Sequence, residues 1–117
     1  MRPLVHPAIE DVRLDGILHA LSDPVRAKIF MGVVNGPCAQ SCAAFAQIDD
    51  RNIPKSSLSQ HFKVLREAGL IRSERIGVEM RNTARCEEIE RRFPGLVQAL
   101  LEAQAAQVAH DGRAAGT

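Results

Sequence analysis

The chain has 117 residues, 45% of them hydrophobic, with four Phe, no Trp, no Tyr and a formal net charge of +1. That length suits one domain with a modest core, and the shortage of aromatic platforms argues against a module that stacks single-stranded bases, favouring duplex over RNA. No apolar run approaches the roughly 18 residues that span a membrane, and the opening MRPLVHPAIEDVR lacks the apolar centre of a signal peptide, so no membrane partner and a cytoplasmic location are expected.

The small net charge hides an uneven distribution. Residues 51 to 85 carry eight basic side chains against three acidic ones, net +5, and the remainder is net −4. A basic middle framed by acidic ends is the footprint expected of a nucleic-acid surface. Three cysteines, an odd number in a reducing compartment, argue against a structural disulfide framework and leave the thiols as candidates for metalloid or redox chemistry.

Residues 1–13, with Pro3 and Pro7 and little periodicity, read as an extended arm that orders only against something else, with Ile9 and Val12 able to pack on a partner. From Leu14 the spacing Leu14, Ile17, Leu18, Leu21 predicts a short helix. Ser22-Asp23-Pro24 is a start signal for a second helix through Val25, Ile29, Phe30 and Val33, which Asn35-Gly36-Pro37 stops. Cys38 to Ile48, CAQSCAAFAQI, is alanine-rich and predicts a third helix, followed by the polar interruption Asp49 to Asn52.

Lys55 to Leu70, KSSLSQHFKVLREAGL, organises the chain. At about 100° per residue, Leu58, Phe62 and Leu65 share one narrow sector, while Ser56, Gln60, Lys63 and, to one side, Ser59 lie opposite. One face packs and the other is free. Lys seeks phosphate, and the short donors and acceptors of Ser and Gln match base edges and backbone oxygens. Gly69 is a natural helix stop. In LIRSERIGVEMRNTAR the period changes, predicting two strands with a tip near Arg75 to Glu79. A turn or two of helix from Cys86 to Phe93 follows, and then a terminal helix from Gly95 whose stripe of Leu96, Val97, Leu100 and Leu101 is most economically buried against another subunit. The helical domain is expected over 14–109 and a flexible tail over 110–117.

The order helix, helix, helix, reading helix, wing, helix resembles the arsenical-repressor (ArsR) family of dimeric bacterial regulators. The motifs that carry the resemblance are LHALSDPVRAKIF at 18–30 and SSLSQHFKVLREAGLIRSERIGVEMR at 56–81. It implies a mainly α, winged helix-turn-helix fold (α-α-α-α-β-β-α), a homodimer through the first and last helices, and two reading helices in successive major grooves roughly 34 Å apart. The positions matching Lys55, Ser56, Ser57, Ser59, Gln60 and His61 then lie at or beside double-stranded DNA, with Lys63 on the same outward face, and Arg75 and Arg81 of the wing approach the minor groove or phosphates. For His61, at the edge of the apolar sector, a structural hydrogen bond stands equally with a DNA contact.

The chain departs from the family in carrying Pro54 where a Ser or Thr caps the reading helix. It also lacks the metal-binding cysteine motif of the third helix and the paired His/Asp ligands of the terminal helix. Its own sulfurs, Cys38 and Cys42 four apart on the expected third helix together with Cys86, equal the number that a pyramidal trivalent arsenic or antimony site uses in related repressors. The null alternative is three buried, chemically silent cysteines. The expected function is a non-enzymatic dimeric repressor on a palindromic operator, released by a thiol-reactive or metalloid signal, with trivalent arsenic, antimony or another soft metal as the candidate ligand of Cys38, Cys42 and Cys86. Two alternatives stand beside it: a winged-helix regulator answering to redox change, to a small molecule or to nothing, and a winged helix used as a protein-interaction module. No glycine-rich phosphate loop or His-Glu-x-x-His pattern supports an enzyme.

Overall fold

The computed structural model describes residues 4, 6–36, 40–48 and 51–115. A 3-10 turn at Ile9–Asp11 leads into helices α1 (Leu14–Ala20) and α2 (Pro24–Asn35). Asp23 caps α2, its Oδ1 accepting from the backbone N–H groups of Val25 at 2.8 Å and Arg26 at 3.1 Å, and Pro24 takes a first-turn position where its missing N–H is not needed. The capping expectation for this segment therefore holds.

The third helix expected over 38–48 does not form in the described part of that segment. Gln40–Ser41 is a strand (β1), Cys42–Phe45 a single 3-10 turn, and Gln47–Ile48 (β2) pairs with Arg51–Asn52 (β3) as a small hairpin. Alanine favours helix, but an isolated helix of about 11 residues is marginal. Here two competing partners are at hand. β1 finds the open edge of the wing, pairing Gln40 with Asn82 and Ser41 with Arg81. The tighter 3-10 turn drops Phe45 into the core, where it lies against Gly32, so close that a Cβ there would stand 2.6 Å from its ring.

Helix α3 (Lys55–Glu67) ends as expected. Leu70 N–H reaches back to Leu65 O at 3.0 Å and Gly69 N–H to Arg66 O at 3.1 Å, with Gly69 at φ +87°: a Schellman stop that needs glycine. The wing strands β4 (Ile71–Ile76) and β5 (Glu79–Ala84) pair from Ile71↔Ala84 to Ile76↔Glu79 around Gly77 at φ +62°. With β1 added, the sheet order is β1-β5-β4, which leaves β4 on an outer edge. Helix α4 (Cys86–Arg92) and the long α5 (Leu96–Ala115) complete the chain at the two helical stretches expected after the wing, and the terminal one runs on to 115, through part of the segment expected as a flexible tail. Among the described residues, no helix is long and apolar enough to cross a membrane.

The core is one cluster. Ile17 of α1, Ile29, Phe30 and Val33 of α2, Leu58, Phe62 and Leu65 of α3, Leu70, Ile71, Ile89 of α4 and Val97 of α5 are all buried. The predicted inward row of α3 is the inward row observed. Phe62 is its keystone, 1% exposed and tilted against Phe45 with ring centroids 5.7 Å apart. Truncating it removes a ring from a sealed site, so Phe62→Ala should lower stability by about 3–5 kcal/mol; urea denaturation showing a loss below about 1 kcal/mol would mean that this row does not hold α3.

Candidate nucleic-acid interface

With Leu58, Phe62 and Leu65 turned inward, α3 presents Lys55, Ser56, Ser57, Ser59, Gln60 and Lys63 to solvent, all of them exposed. Pro54 supplies no side-chain cap, and among the described residues no side chain is bonded to the first N–H groups. Among the described residues the first N–H groups of this 13-residue helix thus lack a side-chain partner, a donor cluster of the kind that takes phosphate oxygens.

His61 sits apart from this set. It is half-buried, its Nδ1 is enclosed without a hydrogen-bond partner, and its charge acts on Asp23 across the α2 start. The Asp23 carboxyl ends below its ordinary value of 3.8. Burial alone would raise it, but the backbone N–H groups of Arg26 and Val25, the Arg26 cation and His61 outweigh that effect. Arg26 in turn donates from Nε to Ala20 O at 2.7 Å, tying the end of α1 to the start of α2. The Asp-Pro-x-Arg stretch is thus a hinge lock whose Asp holds one helix and whose Arg holds the other.

The wing's cations are mostly engaged. Arg81 pairs with Glu79 at 2.8 Å and Arg72 with Glu88 at 3.5 Å. Arg85, 5% exposed, donates to Glu88 and holds that carboxyl below its ordinary range. Arg66 lies under the wing and donates to Ser73 Oγ at 3.2 Å. Among the described side chains, the exposed basic ones of 51–85 outside any ion pair are Lys55, Lys63 and Arg75. The basic excess of the middle region therefore overstates the outward charge, because four of its arginines tie the fold together or pair locally.

A buried polar joint that sequence reasoning missed lies between α3 and the wing. Ser73 and Asn82, paired across β4 and β5, are 4% and 1% exposed. Ser73 Oγ donates to Asn82 Oδ1 at 2.7 Å while accepting from Arg66, and Asn82 Nδ2 donates to Met80 O at 3.3 Å. The signal available was two small polar residues at inward strand positions. Periodicity alone places polar residues outside.

Of the three cysteines, Cys38 and the side chain of Cys42 lie outside the described residues. Cys42 opens the 3-10 turn directly after β1, so residues 40–45 form no helix turn of the kind assumed for spacing this pair. Cys86 begins α4, half-buried, with its thiol pushed up by burial and so less ready to ionise.

A helix-turn-helix domain model matches residues 21–74, the stretch from the start of α2 through α3 and into β4. Among solved structures, an ArsR-like transcriptional regulator from Rhodococcus sp. RHA1 superposes with a TM-score of 0.56 at 23% identity, over 83% of this chain and 90% of that one. The chain therefore has the winged helix-turn-helix fold that it shares with that regulator. No curated protein matches its sequence. The element before α3 is a 3-10 turn and hairpin, and the lock at Asp23 and Arg26 reaches α3 through the action of His61 on Asp23. Asp23→Ala should cost about 1 kcal/mol at neutral pH. Because the folded carboxyl titrates below 3.8, that contribution is present above the ordinary value and fades as pH falls through the lowered one. Urea midpoints of the two proteins should therefore converge in acid, and a constant gap would assign the effect to something other than the carboxylate.

Proposed function

We propose that the chain is a DNA-binding transcriptional regulator of the ArsR type that works as a homodimer and represses by occupying a palindromic operator. The observation that carries this reading is the two-sided α3: a sealed apolar row, and opposite it an exposed surface of Lys55, Ser56, Ser57, Ser59, Gln60 and Lys63 with an uncapped helix start. In this reading Lys55 and the open N–H groups hold phosphate and set register, Ser59 and Gln60 meet base edges, and Lys63 adds a backbone contact. Arg75, free at the wing, is the flanking anchor, whereas Arg81 must leave or share Glu79 to take part. His61, half-buried against the α2 start, positions α3 instead of touching bases.

Two features support a dimer through α1 and α5. Leu14 and Leu18 lie a turn apart on α1 and are 44% and 49% exposed, while Ile17 between them is buried. Helix α5 has 20 residues, about 30 Å, yet only its first turns reach the core; Val108 farther along is 38% exposed. A second copy would cover both. The stretch holding two of the cysteines, 38–45, precedes the reading helix with only the β2–β3 hairpin between, and Phe45 lies on Phe62, so a thiol-reactive signal there would act on α3 through that ring pair.

The test is selection of binding sites by the full chain from random duplex DNA, followed by gel shifts at several salt concentrations. Gln60→Ala should broaden the selected sequence with a modest loss of affinity. Arg75→Ala should weaken all duplexes alike and lower the salt slope by about one. Failure of the unaltered chain to enrich any sequence, or equal behaviour of the two variants, would contradict the roles given to these residues.

A further inference from the structure

The described start of the chain is fastened to the domain by four contacts that the DNA reading does not use. Val12 is 2% exposed and lies over Gly69, where a Cβ would stand 2.4 Å from its Cγ2. Arg92 Nε donates to Val12 O at 2.8 Å, and Arg85 Nη1 donates to Pro7 O at 2.9 Å. The fourth contact is of another kind. His6 Nε2 accepts the backbone N–H of Ser73 at 3.0 Å, on the outer edge of β4.

Arginine donors and an apolar contact do not respond to pH near neutrality, but an imidazole nitrogen accepts only while it carries no proton. Among the described residues, the charged groups that act on His6 are cationic: Arg72 from β4, Arg66 from α3 and Arg85 at the start of α4. The acidic group that α4 contributes, Glu88, is taken up by Arg85 and Arg72. A proton on His6 would therefore forfeit the Ser73 bond and add a fourth positive charge to three.

We propose that His6 is a proton-operated latch that holds its end of the N-terminal arm on the edge of β4 when neutral and lets that end go when protonated, while the arginine and Val12 contacts keep the rest of the arm in place. Burial first, then Arg72, Arg66 and Arg85, set its pKa below the ordinary 6.5. The sign follows from that direction. Docking is at full strength above the ordinary value, weakens as pH falls toward the lowered one, and stays weak below it. Ser73 also belongs to the joint with Arg66 of α3 and Asn82 of β5, so the latch bears on the angle between helix and wing. Its effect on DNA affinity rests on the DNA-reading proposal; the latch itself does not.

Amide exchange and imidazole titration by NMR on the DNA-free full chain test the latch. The protection factor of Ser73 should fall several-fold between about pH 7.5 and pH 5, in step with protonation of His6. His6→Gln, which keeps an acceptor but cannot titrate, should hold Ser73 protected at both values; His6→Ala should leave it weakly protected at both. Ser73 protection that ignores pH in the unaltered chain, or a pH response that survives in His6→Gln, overturns the proposal. Operator binding followed over the same range separates the two readings, since the Ser73 response is expected whether or not the chain binds DNA.

Discussion

Leu58, Phe62 and Leu65 lie within one sector of α3 and are 6%, 1% and 0% exposed, so the helix has a single rotation about its axis that keeps them covered. Each such side chain contributes about 1.5–3 kcal/mol when sealed from water, more than any exposed contact on the opposite side could offset. That burial fixes which residues look outward. The small polar and basic character of the outward set then becomes a property of the molecule and not only of the sequence. Gly69 closes the helix against Val12, and the hinge lock at Asp23 and Arg26 sets the direction from which α2 supports it.

A second constraint, the buried joint of Arg66, Ser73 and Asn82, couples α3 to the wing. Buried polar groups cost stability unless they are bonded, and here the serine hydroxyl both donates and accepts. Such a joint is intolerant of partial rearrangement. Helix and wing would move as one body, or not until the joint opens. The arm enters at this same point through the backbone N–H of Ser73, so three segments distant in sequence meet on one residue.

Much of this was legible from the residues because local rules and tertiary packing agree. Asp23-Pro24 starts a helix by capping chemistry that needs no partner, Gly69 stops one, and the inward row of α3 follows from a period of 3.6. Legibility ended where a long-range partner decided the outcome. Alanine propensity over 38–48 pointed to helix, but the free edge of β5 captured Gln40 and Ser41, and the Phe45 ring found Gly32 and Phe62. The arm looked unstructured because its fasteners, Arg85 and Arg92, lie far along the chain. Counting charges gave a basic middle, yet Arg66, Arg72, Arg81 and Arg85 are bonded to neighbours within the fold. The outward cations of the candidate site are correspondingly few, which places more weight on the open start of α3 and on a second subunit.

The central claim is that the outward face of α3 and the wing form one duplex-binding surface. It is tested most directly by NMR shift mapping of the full chain with a short DNA duplex at low salt. The amides of Ser56, Ser57, Ser59, Gln60, Lys63 and Arg75 should move together, while those of the α1 and α5 surfaces stay in place. Shifts that gather on α1 and α5, or none along α3, would contradict it.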